Sequence, residues 1–141
     1  MQSLKTLEKI IKIKERELRQ QKQKIQQIHS KINFIERKIE NLRKEIYKVQ
    51  TQNVSSIFEI SMAPQNVIYL SNKIEKYILA KINLEKTLEK ELSKLKDIFS
   101  EKRAIETLKN KIELQIKHKE EIKERNLLDE FASRKYISNS S

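Results

Sequence analysis

The chain has 141 residues, no glycine, no cysteine, no tryptophan, a single proline (Pro64) and a net charge of +11. Without glycine, positive-φ turns and phosphate-cradling loops have little to work with, which argues against a β-rich fold and a Gly-rich nucleotide site. Without cysteine, disulfides and thiolate metal sites are excluded.

From Leu4, every seventh residue of the first arm is aliphatic: Leu4, Ile11, Leu18, Ile25, Ile32, Ile39 and Ile46. A second series three residues later reads Leu7, Lys14, Gln21, Ile28, Ile35, Leu42 and Val49. Steps alternating between three and four keep one narrow seam facing a partner helix, as in a coiled coil. The spacing predicts a helix over about 3–50, capped by Ser3. At 1.5 Å per residue it would run about 70 Å. Phe34 and Tyr47 fall off the strict seam and are expected to flank it. This arm is also the more basic: residues 1–50 hold 14 Lys/Arg against 6 Glu, and residues 51–141 hold 17 against 14 acidic residues. The densest run is Lys9, Lys12, Lys14, Arg16, Arg19, Lys22 and Lys24. Such a face could attract an acidic partner, nucleic acid or an anionic membrane, or simply be a solvated exterior.

The periodicity lapses over 51–63, which reads as the apex of a hairpin ending at Pro64. Ile57, Phe58, Ile60 and Met62 make that apex apolar. A proline is tolerated in the first turn of a helix, so the second helix is expected from about 64, with Ser61 as N-cap, to about 136. Residues 137–141 are expected to be a disordered tail. The second helix carries Val67, Leu70, Ile74, Tyr77, Ile78, Leu84, Leu88, Leu92, Leu95, Ile98, Ile105, Leu108, Ile112, Ile116 and Ile122. The two four-residue steps Leu84–Leu88–Leu92, and a lapse at Lys102, predict local unwinding of the supercoil.

Two such arms joined by a short apex imply an all-α fold, an antiparallel coiled-coil hairpin of one domain. With the apex near 58, paired positions add to about 116. Lys14 then meets Lys102 in a weakly packed layer that needs Glu101 or Glu106 as compensation. Residues 116–136, with Ile122, Leu127, Leu128 and Phe131, overhang without an internal partner, so an external one is expected.

No catalytic constellation is present. His29 and His118, the only histidines, fall far apart in this register and share no metal. Glu120, Glu121, Glu124, Asp129 and Glu130 read as solvated helix faces. The expectation is a non-enzyme with no cofactor, no metal and no small-molecule substrate. Interspersed glutamates and missing aromatic platforms argue against nucleic acid as a partner. No run is apolar enough to span a membrane, and no signal peptide opens the chain, so a soluble, intracellular protein is expected.

The ends resemble a known family. The stretch 4–21, with Ile10, Ile11, Ile13, Lys14, Glu15 and Glu17, resembles the opening helix of the FliJ family of flagellar export proteins. The stretch 124–136, with Asp129, Glu130, Phe131, Ala132, Arg134 and Lys135, is similar to that family's ending. Tyr69, Leu70, Ile74, Glu75 and Ile78 fit a stretch after its apex. The lack of apical glycine departs from many members. The secretion stalk proteins of the YscO kind are related, so an injectisome stalk is an alternative. So is a generic coiled-coil scaffold or adaptor, including a nucleic-acid-associated one.

The resemblance implies a central stalk of the flagellar type III export ATPase. Its implied partners are the hexameric export ATPase, the export gate protein and export chaperones. It implies a cytoplasmic location, peripheral to the membrane through the export apparatus. By carry-over, Lys14, Arg125, Asp129, Glu130, Phe131, Arg134 and Lys135 would contact the ATPase ring, and Leu70 and Ile74 the export gate.

Overall fold

The computed structural model describes residues 2–51 and 57–140, with side-chain environments for 3–51 and 62–135. Two helices make up the described chain: α1, Gln2–Thr51, and α2, Ile57–Ser140. They pack antiparallel as a hairpin, the all-α architecture that the heptads require. The chain divides into two compact units, one formed by Met1–Glu17 with Ile98–Ser141, the other by Leu18–Asp97.

The second unit holds the best-buried seam. Leu18, Ile25, Ile28, Ile32, Ile35, Ile39 and Leu42 of α1 are buried, and Leu70 of α2 with them. Antiparallel pairing is read from cross-helix contacts. Lys81 Nζ lies 3.2 Å from Glu36 Oε1, and Lys24 Nζ 3.2 Å from Glu91 Oε1. In the first unit, Lys109 pairs with Glu8 at 3.6 Å, Lys102 with Glu15 at 3.8 Å and Lys14 with Glu101 at 2.6 Å. Within each unit these pairs keep to the register of about 116 that the heptads require. Phe34 and Tyr47 do not flank the seam; both are exposed.

The seam of α2 departs from expectation at one level. Leu92 is exposed at 44%, while Glu91 is the buried polar residue at 5%. From Leu70 the inward residues run Ile74, Tyr77, Lys81, Leu84, Leu88, Glu91, Leu95 and, in the first unit, Ile98, Lys102, Ile105, Lys109, Ile112 and Ile116. These steps alternate four and three without a break. The heptad therefore continues through Leu88, and no unwinding is needed: geometry selects Glu91 although Leu92 is the more apolar side chain.

Both boundaries of α2 also differ from the sequence expectation. α2 begins at Ile57, so Pro64 lies inside the helix. Ala63, Val67 and Leu70 extend the same spacing upstream, and Met62 and Ala63 are half-buried. Packing of that extra turn outweighs the backbone hydrogen bond that the proline cannot donate. Ile57, Phe58 and Ile60, expected at an apolar apex, lie outside the residues whose side chains are described. At the other end α2 runs to Ser140, so 137–140 are helical rather than a disordered tail. No glycine or proline follows Pro64 to stop it.

The layer at Lys14 is compensated as anticipated. Its ammonium donates to Glu101 Oε2 at 2.6 Å and to Glu17 Oε2 at 3.3 Å. Those hydrogen bonds raise its pKa above 10.5, the Glu101 bond most. The partner carboxylates Glu101 and Glu17 stay 57% and 41% exposed, so the pairs contribute little against an aliphatic seam residue. Lys14→Leu is expected to raise Tm by roughly 2–5 °C in a thermal melt. A lowered Tm would count against the register.

Glu91 gives a pH signature. The Gln21 amide holds its carboxyl below the ordinary 4.5, with Lys24 and Lys94 adding to this against the cost of desolvation. A depressed folded pKa supplies stability above the unfolded value, lost as pH falls through the folded one. Between about pH 5 and 3 the wild type should therefore lose more Tm than Glu91→Gln, whose neutral side chain does not titrate.

Candidate partner-binding surfaces

The first unit contains a segment with no partner among the described residues. The spacing that gives Ile112 and Ile116 next lands on Lys119, Lys123, Asn126, Glu130 and Ser133, all polar. The apolar seam thus ends in the sequence itself, near the level where α1 begins. Every residue from Lys117 to Lys135 is exposed, yet the helix continues through them. Leu127 at 65%, Leu128 at 69% and Phe131 at 68% are presented to solvent. At i, i+1 and i+4 these three share one side of the helix. A second side carries Asn126, Asp129, Glu130, Ser133 and Arg134, which line a shallow surface groove. Among the described residues, no ion pair engages Arg125, Asp129, Glu130, Arg134 or Lys135.

Lys14 is placed differently from these. It is half-buried in the seam and committed to Glu101 and Glu17, so it belongs to the hairpin and not to the free helix. His118 lies on the free helix and His29 is exposed on α1 in the other unit. Among the described residues no cluster of His, Cys, Asp or Glu could hold a metal ion.

Seam chemistry also shapes the outer face of α1 in this unit. Its three acidic residues, Glu8, Glu15 and Glu17, are each drawn to a seam lysine: Lys109, Lys102 and Lys14. Lys5, Lys9, Lys12 and Arg16 recur at four- and three-residue steps on the opposite side and are exposed, with no ion pair among the described residues. The result is a basic stripe whose neighbouring carboxylates, though still about half exposed, are engaged by seam lysines.

In the second unit Leu70 is 8% exposed and Ile74 half-buried, so both serve the seam. Leu70 also forms part of the floor of a shallow groove with Glu45, Lys48, Val49, Asn66 and Tyr69. Tyr69 is exposed and holds the Lys73 ammonium over its ring at 4.9 Å. Ile68, Leu79 and Ile82 are exposed on the side of α2 away from the seam. Their steps of eleven and three were visible in the sequence and were masked by the stronger seam pattern.

A family model described as "Flagellar FliJ protein" matches residues 3–141. No curated protein and no solved structure matches the chain.

Substitutions on the free helix should leave the fold intact. Phe131→Ala is expected to change unfolding free energy by no more than about 0.5 kcal/mol. Ile32→Ala in the seam should cost about 2–5 kcal/mol in the same denaturant titration.

Proposed function

The chain belongs to the FliJ family of flagellar proteins, a non-catalytic component of the type III export apparatus, and we propose that it is the central stalk of the export ATPase. In this reading the end carrying Gln2 and the free part of α2 enters the hexameric ATPase ring. The observation that carries it is a stretch of helix, 117–135, that is exposed throughout and that no other described residue covers. A helix with apolar side chains on one side and unpaired charges on the other can bear on a ring wall without a large apolar interface. Arg125, Asp129, Glu130, Phe131, Arg134 and Lys135 are the contacts we assign to the ring. The basic stripe at Lys5, Lys9, Lys12 and Arg16 favours carboxylates on the facing wall.

The other end is assigned to the export gate, through the groove that Leu70 and Tyr69 line and the seam residue Ile74 behind it. Export chaperones are the third class of partner. The work is mechanical: a stiff helix pair transmits position to an enzyme that hydrolyses ATP elsewhere. Among the described residues no helix is long and apolar enough to cross a membrane. The protein would sit at the cytoplasmic face of the membrane by virtue of the apparatus it joins.

Mixing the protein with the cognate export ATPase should stimulate hydrolysis. The triple variant Phe131→Ala, Arg134→Glu, Lys135→Glu should lose most of that stimulation at unchanged Tm. A folded wild-type protein that neither binds nor stimulates the ATPase would sink the proposal.

A further inference from the structure

The apolar seam of the second unit says little about its own alignment. Ile25, Ile28, Ile32, Ile35, Ile39 and Leu42 are nearly interchangeable, and all are buried. A facing helix displaced by one heptad would meet the same kind of side chain at every layer. Something other than hydrophobic fit must hold the register.

The layer that differs is at Gln21 and Glu91. The Gln21 Nε2 donates to Glu91 Oε2 at 2.6 Å and to the Glu91 backbone carbonyl at 2.8 Å. Lys24 and Lys94 approach Glu91 Oε1 at 3.2 Å and 3.4 Å. A buried carboxylate is thus met by one amide and two ammonium groups, and no buried side-chain polar atom lacks a partner among the described residues. Displace α2 by one heptad and the place of Gln21 beside Glu91 is taken by Ile28 in one direction, which donates nothing, and by Lys14 in the other, where Glu17 takes the place of Lys24. A buried carboxylate that loses its amide donor, or meets a second carboxylate, is costly in a helix interface. The neighbouring charged layer votes the same way. Lys81 now meets Glu36 at 3.2 Å; a one-heptad slip would bring Arg43 or His29 to that place.

We infer that the Gln21–Glu91 layer is a register lock, a polar contact retained because it excludes alternative alignments of an otherwise uniform seam. Both helices run unbroken, so alignment also fixes how many residues of α2 are left free: a slip of one heptad adds or removes seven. The lock does not depend on the functional reading above.

Because the chain has no cysteine, engineered pairs report alignment directly. In the full-length protein, Ile28→Cys with Leu88→Cys reports the observed register. Ile28→Cys with Leu95→Cys, and Ile35→Cys with Ile74→Cys, report a slip of one heptad each way. Each pair is oxidised in the wild-type layer and in the variant Gln21→Leu, Glu91→Leu, and intrachain and interchain products are separated by size. In the wild-type layer, slipped pairs should cross-link at less than about one-tenth the yield of the observed pair. In the leucine layer the slipped-to-observed ratio should rise at least about fivefold, or seams should exchange between chains, while Tm rises. Glu91→Gln should give an intermediate ratio. The inference is overturned if the folded leucine variant keeps the wild-type ratio as a monomer, or if the wild-type layer already cross-links in slipped registers.

Discussion

A coiled-coil seam offers two positions per heptad, so each polar side chain that falls in it displaces an appreciable part of the apolar contact and must be satisfied by the facing helix. Among the described residues six seam positions are polar: Lys14 and Gln21 on α1, and Lys81, Glu91, Lys102 and Lys109 on α2. Each finds a cross-helix partner within its own unit. Lys14, Lys102 and Lys109 use the first-arm carboxylates Glu17, Glu15 and Glu8. The seam is held as much by this matching as by isoleucine, and the matching decides which charges remain for the outer surface.

That division has a functional reading. The acidic residues of the α1 portion of the first unit are engaged by seam lysines, and the stripe Lys5, Lys9, Lys12 and Arg16 is basic throughout. The free part of α2 shows the opposite arrangement: its charges pair with nothing among the described residues, and its apolar side chains lie open. One unit therefore presents two chemically different faces to whatever surrounds it. A wall with carboxylates and apolar ledges would fit both.

Much of this was legible from residue spacing. The α1 heptads, the antiparallel register and the unpartnered stretch after Ile116 follow from counting alone, because 3.5-residue periodicity is a geometric requirement that side-chain type modifies only locally. At Glu91 hydrophobicity and geometry disagree: Leu92 is the more apolar residue, but Glu91 keeps the alternating steps. Pro64 misled in a similar way. Its preference for a first turn is a local rule, and packing of Met62 and Ala63 overrode it. Of the candidate contacts, the free-helix residues are where the spacing put them. Lys14, Leu70 and Ile74 face inward, as their seam positions dictate.

The exposed helix beyond Ile116 has a further consequence. An isolated helix of that length must first form a costly nucleus, but this one grows from a turn already fixed against α1, so only propagation remains. Its order is inherited from the packed part and weakens with distance from it. Lacking seam contacts, each added turn is close to neutral in free energy. A partner that grips the outer turns would therefore draw on a helix already formed near its root and would finish the outer turns as it binds. Binding strength and helical order at that end are then one quantity.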